Sequence, residues 1–152
     1  MLGEYFGRAI YYQVVRKDCC GWQPLEPSMA TLAGPQTIHI AYHVPVAPLI
    51  LDTASVTSPN GAADGFTATD ALGDIPIARV AVNRDGRSID ISLTRPVSGS
   101  ATVDYARDGI GRLPGPTTGA RGCLHDSDPM ISRYDGSPRP NWSVGFTALE
   151  VE

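Results

Sequence analysis

The sequence predicts a mainly β protein, an antiparallel β-sandwich with one N-terminal helix. From Gln36 onward, apolar and polar residues alternate, which is the period of a strand with one buried face. Gly (16) and Pro (13) are plentiful and lie between the apolar segments, as in short strands joined by turns. The 152 residues, 42% of them apolar and 18% charged, suit one compact domain.

Residues 1–17 are predicted to form an amphipathic helix, followed by an irregular connector over residues 18–36. The apolar residues of the helix recur at every fourth position and share one face: Leu2, Phe6, Ile10 and Val14. The helix lacks an N-cap residue and is marginal alone in water. We therefore expect its apolar stripe to dock on the β-domain or on a neighbouring subunit. Gly and Pro break up the connector.

The β-domain is predicted over residues 37–152, with about seven strands. They are expected at 37–44, 49–51, 66–71, 78–82, 88–94, 103–105 and 141–151. The clearest unit is a β-hairpin from Val80 to Leu93, because Asp85-Gly86 is a turn signal between two alternating segments. Asp104 is expected to face solvent. In outline this predicts an immunoglobulin or fibronectin type III-like sandwich.

The last strand is predicted from Asn141 to Val151. Its alternation would place Trp142, Val144 and Phe146 on one buried face. Trp142 is therefore expected in the core.

A long polar loop is predicted over residues 107–140, which are rich in Gly, Pro, Asp, Ser and Arg. So long an irregular stretch in a compact domain is usually functional or held by specific polar contacts. We expect Arg121 and Arg133 to form ion pairs with Asp126 or Asp128, whose carboxylates also accept hydrogen bonds from backbone N–H groups. We expect the functional surface to lie on this loop.

The charge balance argues against nucleic acid as a partner. Lys plus Arg is 12 and Asp plus Glu is 16, which gives a net charge of −4 without a basic run. No apolar run is long enough to span a bilayer, so no membrane segment is predicted. The N-terminus has no basic segment, and Glu4 and Arg8 interrupt its apolar residues, so no signal peptide is predicted.

The three cysteines raise the question of a metal site. Cys19, Cys20, Cys123 and His125 are ligand types that Zn²⁺ uses, but their spacing matches no zinc knuckle. A disulfide between Cys123 and one of the adjacent pair is an equal alternative, and free thiols in loops are favoured over both. No metal and no cofactor are predicted.

The loop also contains residues that are typical of other sites. Asp126, Asp128 and Asp135 could bind Ca²⁺, although binding to loop N–H groups is favoured because the spacing fits no EF-hand. A triad of His125, Asp126 and Ser127 is not expected, because neighbours in one loop rarely point at one another.

Aromatic residues could stack on a sugar. Trp22, Tyr105, Tyr134 and Trp142 are the candidates, and Tyr134 is the best of them because it lies in the polar loop. A site for carbohydrate or another ligand is therefore predicted from six loop residues: Arg121, His125, Asp126, Asp128, Arg133 and Tyr134.

Two stretches resemble a known family. "LGEYFGRAIYYQVV", followed by Trp22 and Pro24-Leu25, resembles the last helix of an SGNH (GDSL-like) hydrolase domain of the sialate O-acetylesterase type. "GPTTGARGCLHDSDP", followed by Tyr134 and "NWSVGF", resembles the C-terminal β-domain attached to SGNH-like proteins of bacteria and bacteriophages. The chain departs from that pattern at Cys123 and His125, where Asn and Arg are common.

The resemblance implies the tail of an esterase-like protein without its catalytic Ser and Asp-x-x-His blocks, which the sequence lacks. We expect a non-catalytic module of a bacteriophage virion or an esterase-like protein, which attaches to a surface glycan or to another structural subunit. The alternative is a fragment or subunit of a carbohydrate esterase with its catalytic residues on another polypeptide. Expected partners are virion or esterase subunits, cell-surface carbohydrate or further copies of the chain, at a virion or extracellular location.

Overall fold

The computed structural model describes residues 2–16, 23–109 and 118–152. An α-helix, α1, spans Leu2–Ile10, and a π-helical turn follows at Tyr11–Val15. The strands are β1 Glu26–Gly34, β2 Thr37–His43, β3 Ile50–Leu51, β4 Phe66–Asp70, β5 Gly73–Ile75, β6 Ile77–Val82, β7 Ser88–Leu93, β8 Ala101–Tyr105, β9 Leu124–His125 and β10 Phe146–Val151. A 3₁₀ turn occupies Gly61–Ala63.

Eight of the described strands form one sheet, in the order β5-β4-β8-β10-β1-β2-β7-β6, and β3 pairs with β9 in a small second sheet. Neighbours in the large sheet are antiparallel, apart from β1 and β10, which run parallel. The edge strands β5 and β6 are separated along the chain by Pro76 alone. The sheet must therefore curl until its two edges meet, which produces the predicted mainly β, sandwich-like architecture.

The predicted hairpin is confirmed. β6 and β7 pair antiparallel, with Val80 opposite Ile91 and Val82 opposite Ile89. Ile89 and Ile91 are fully buried, and they join the isoleucines of β2 in the core. Gly86 adopts a φ of 63° in the turn, where Asp85 accepts hydrogen bonds from the N–H groups of Arg87 and Ser88.

The prediction of an irregular connector over residues 18–36 is wrong for its second half. β1 lies there, between β2 and β10. Apolar alternation is absent from this strand because only Ala30 is buried. Pro27 is tolerated because the pairing with β2 is irregular between Pro27 and Met29, so a missing N–H costs little.

The end of the chain also differs from the prediction. β10 begins at Phe146, not at Asn141, because Asn141 binds the loop instead of a strand partner. Trp142 is half-buried and not a core residue. Asp104, predicted to face solvent, is buried because it pairs with Arg107 and accepts the N–H of Ala148.

The helix contacts the β-domain through its polar residues and not through the apolar stripe. Phe6, Ile10 and Val14 remain 60%, 56% and 58% exposed, while Tyr5 donates a hydrogen bond to the carbonyl of Pro140. Docking of the stripe on the β-domain is therefore wrong, and contact with a neighbouring subunit stays a prediction. No helix in the described ranges has the length and apolar character that crossing a membrane requires.

Candidate functional site

Asp126 organises the polar segment between residues 118 and 145. It is fully buried, and its carboxylate accepts hydrogen bonds from the backbone N–H groups of Val46, Asp128 and Asn141, at 3.1, 3.1 and 2.9 Å. The side-chain amide of Asn141 donates to it at 2.8 Å. The carboxylate thus satisfies several backbone groups at once, which confirms the prediction that it binds loop N–H groups.

The predicted ion pairs of this loop are not formed. Arg121 donates to the carbonyls of Thr57 and Gly119, and the exposed Arg133 is held through its backbone N–H. Asp128 pairs instead with Arg8 of the helix at 2.8 Å. A single sequence contains no signal for this partner, because the two residues lie 120 positions apart.

A polar interface, which we call the helix clasp, joins α1 to the loop. Glu4 accepts from the Ser132 hydroxyl and the Arg133 N–H, both at 3.1 Å, and from the Arg139 guanidinium at 3.3 Å. Arg139, which is buried, also donates from Nη2 to both carboxylate oxygens of Asp135. Hydrogen bonds from Ser137, and then from Ser132 and the charge of Arg139, hold the pKa of Asp135 well below its usual range.

Sequence reasoning did not find Glu4, Arg8, Arg139 or Asn141. The two helix charges were read only as interruptions of an apolar segment. Arg139 lies between prolines and gave no pattern of its own. For Glu4 and Arg8, the signal would have been their spacing of four residues on the helix face opposite the apolar stripe.

His125 lies in β9, where it pairs with Ile50 across the small sheet. Its Nδ1 contacts the backbone carbonyl of Asp126, and its Nε2 lies 3.9 Å from the carboxylate of Asp52. Its ring packs edge-on against Trp142, with 4.8 Å between the centroids. These contacts hold the loop against β3, and they bring His125 to the backbone carbonyl of Asp126, not to its carboxylate.

Cys123 is a free and fully buried thiol. Burial raises its pKa to about 11, so the thiol stays protonated at neutral pH. In the described part of the chain, no three His, Cys, Asp or Glu side chains cluster as metal ligands would. Cys19, Cys20 and Trp22 lie outside the described residues, as does part of the predicted loop 107–140.

The structure separates the six predicted loop residues into different surroundings. Asp126 accepts hydrogen bonds from backbone N–H groups, Asp128 pairs with Arg8 of the helix, and His125 packs against Trp142. Tyr134 is 92% exposed at the tip of a turn. Arg121 lines a cleft.

That cleft has a volume of about 410 Å³, and both Arg121 and Trp142 line it. Its floor is formed by Tyr105, whose hydroxyl accepts the N–H of Leu124 at 2.8 Å. Burial raises the pKa of Tyr105 well above its usual value. The hydroxyl therefore stays protonated and serves the loop backbone.

Comparison with known proteins identifies the fold alone. No family model and no curated protein matches the sequence. The structure of surface layer protein SbsC, domains 1-6, matches 97% of this chain with a TM-score of 0.53 and 10% identity. The N-terminal part of the bacterial S-layer protein SbsC matches 85% of the chain, with a TM-score of 0.51 and 13% identity. The matched regions are only 15% and 23% of those chains.

The resemblance to the tail of SGNH hydrolases stays a prediction beside this result. At these identities, the likeness to the SbsC structures shows that the mainly β architecture recurs and shows nothing of activity.

Proposed function

We propose that the chain is a non-catalytic β-sandwich module of a virion or extracellular surface assembly, and that its N-terminal helix joins it to a second copy of the chain. The observation that carries the proposal is the orientation of α1. The charged face of the helix is held by the loop, and its apolar stripe of Phe6, Ile10 and Val14 faces outward.

An outward apolar stripe favours association. Tyr11 and Val15, at 49% and 67% exposure, add further exposed apolar surface to the same segment. Burial of such surface is favourable by roughly 25 cal/mol per Å². Contiguous exposed apolar surface is typical of protein interaction sites.

A second copy of the chain is a suitable partner for the apolar stripe, because the charges of the helix are already paired within each chain. Glu4 and Arg8 point into their own β-domain and are neutralised there by Arg139 and Asp128. Two stripes can therefore pack against each other without bringing these charges together. A two-fold contact of identical surfaces is the commonest arrangement of soluble oligomers. The SbsC domains, from a protein described as a surface layer protein, support a structural role by analogy of fold.

The test is the oligomeric state of the full chain, measured by sedimentation equilibrium. The wild type is expected to dimerise, and the double variant Phe6→Ser and Ile10→Ser is expected to be monomeric. The melting temperature of the variant monomer should stay close to that of the wild-type monomer, because both residues are exposed within one chain.

Leu72→Ser supplies the matched control. Leu72 is 73% exposed in the turn between β4 and β5, away from the helix, so this variant should dimerise like the wild type. A wild type that stays monomeric at high concentration contradicts the proposal. So does a wild type that is monomeric alone and binds only a different subunit.

A further inference from the structure

We propose that the cleft beside Arg121 binds a sugar that carries a carboxylate, such as a hexuronic acid. Its volume of about 410 Å³ lies within the range of small-ligand sites. Its polar and aromatic lining comes from four separate segments of the chain: Ser55, Thr57, Tyr105, Arg121, Trp142 and Ser143. The site does not depend on the helix contact proposed above.

The guanidinium of Arg121 is fixed but incompletely paired. Its Nε donates to the Thr57 carbonyl at 2.7 Å, and its Nη1 donates to the Gly119 carbonyl at 3.1 Å. Its Nη2 is shielded from solvent and has no hydrogen-bond acceptor among the described residues. A buried donor of a charged group without an acceptor is costly.

The charge of Arg121 is not neutralised by the described part of the chain. Both acceptors that hold it are backbone carbonyls, and the described carboxylates form no ion pair with it. The residue lines the cleft, so an anion that enters there lies beside a guanidinium whose charge is balanced by none of the described carboxylates. A carboxylate suits a guanidinium because its two oxygens match the spacing of neighbouring N–H groups.

The rest of the lining fits a sugar ring better than a free anion. Trp142 presents half-buried aromatic surface, and its ring is fixed by the edge contact with His125. Ser55, Thr57 and Ser143 line the same space, and side chains with a hydroxyl group can donate to or accept from sugar hydroxyls. Apolar surface with a few convergent polar groups is the usual make-up of a ligand site.

A neighbouring cleft shows why this one is selected. About 280 Å³ lies between the helix and the β-domain, lined by Tyr5, Arg8, Leu25 and Trp142 among others. Its cation is already paired, since Arg8 binds Asp128 at 2.8 Å. Of these two clefts, only the one beside Arg121 combines the tryptophan with a guanidinium that pairs with none of the described carboxylates.

The experiment is an NMR titration of the full-length ¹⁵N-labelled chain with glucuronate, glucose and acetate. Glucuronate is expected to shift the signals of Gly122, Trp142 and Ser143 in a saturable way. Glucose lacks the carboxylate and acetate lacks the ring, so each is expected to bind at least tenfold more weakly. Equal binding of glucose, or equal binding of acetate, overturns the proposal, and so does the absence of saturable shifts with glucuronate.

Two variants locate the site. Arg121→Gln is expected to weaken glucuronate binding at least tenfold, whereas Arg133→Gln removes the same charge from an exposed position of the loop and should bind like the wild type. Equal losses in both variants would contradict the proposal. If Arg121→Gln does not fold, Arg121→Lys keeps the charge without the planar fork and should bind more weakly than the wild type. Wild-type affinity in Arg121→Lys would also contradict the proposed contact.

Discussion

Strands β2 and β7 exclude water with isoleucine side chains, whereas the segment 118–145 excludes it around a carboxylate. Ile38 lies opposite Ile91, and Ile40 lies opposite Ile89, so the strand pair is held by apolar burial and a regular ladder. Asp126 is equally buried, but in the described part of the chain no regular ladder of hydrogen bonds surrounds it. Its carboxylate accepts hydrogen bonds from the N–H groups of three separate positions. The burial of apolar surface therefore stabilises the strand pair, whereas the placement of one charged group stabilises the segment 118–145.

This difference has consequences for substitution. Apolar contacts are numerous and individually weak, so a core tolerates changes that preserve volume and apolarity. A polar network loses several bonds when its central acceptor is removed, and each donor left buried is costly. A change from an apolar to a polar residue should therefore be most destabilising in the central strands. In the loop, the loss of one correctly placed acceptor should be most destabilising.

The largest expected effect is that of Ile91→Asp. The substitution buries an unpaired carboxylate in the fully buried centre of β7 and should cost about 4 kcal/mol or more, enough to unfold a marginally stable domain. Ser92→Asp, one residue further and half-buried opposite Arg79, should cost less than about 1 kcal/mol. Chemical denaturation measures both, and equal destabilisation would show that the two faces of β7 are not distinct.

Asp126→Ala is expected to have the second largest effect and to lower the free energy of unfolding by about 2 to 4 kcal/mol. It leaves the N–H groups of Val46, Asp128 and Asn141 without their acceptor. Hydrogen exchange should accelerate at these amides while Ile89 and Ile91 stay protected. Ser127→Ala is the control, since it removes only an exposed hydroxyl that donates to the Pro48 carbonyl. Uniform acceleration through β7 would mean that the two regions unfold as one unit.

Gly122→Ala should cost about 1 to 3 kcal/mol. A Cβ there would lie 2.1 Å from the Tyr105 ring. That ring cannot move cheaply, because it packs on Phe66 at 4.4 Å and its hydroxyl binds the N–H of Leu124. Gly34→Ala meets open space and should change stability by less than about 0.5 kcal/mol in the same denaturation experiment. A neutral Gly122→Ala would show that the loop can withdraw from the core.

The smallest expected effect is a pH dependence of the helix clasp. The pKa of Asp135 is depressed, chiefly by hydrogen bonds from Ser137, so its contribution is present above the ordinary pKa of about 4 and is lost as pH falls through the lower folded value. Acidification should therefore release the backbone N–H of Ser137, which donates to Asp135 at 3.0 Å, to exchange before the β7 amides. Asp135→Asn should remove this dependence, and an unchanged pH profile in that variant would assign the transition to another group.

The contrast between the two regions also explains which parts of the fold could be predicted from the sequence. The β6–β7 hairpin was predictable because alternation and the Asp85-Gly86 turn are local signals, and pairing preserves them. Strand β1 was missed because its burial shows no period of two, although it forms a local antiparallel hairpin with β2. The binding role of Asp126 toward loop N–H groups was predictable from residue chemistry, but its partners were not.

The sequence by itself determined the mainly β class, the hairpin and its buried face, and the amphipathic character of the helix, because each follows from short-range periodicity. Only the tertiary structure decided which face of the helix is bound. Arg8 and Glu4 find charged and hydrogen-bonding partners in the loop, so the apolar stripe is turned outward. Only the tertiary structure, likewise, brought Arg121 and Trp142 to one cleft. Side chains far apart in sequence meet through the packing of the whole chain, which no local pattern encodes.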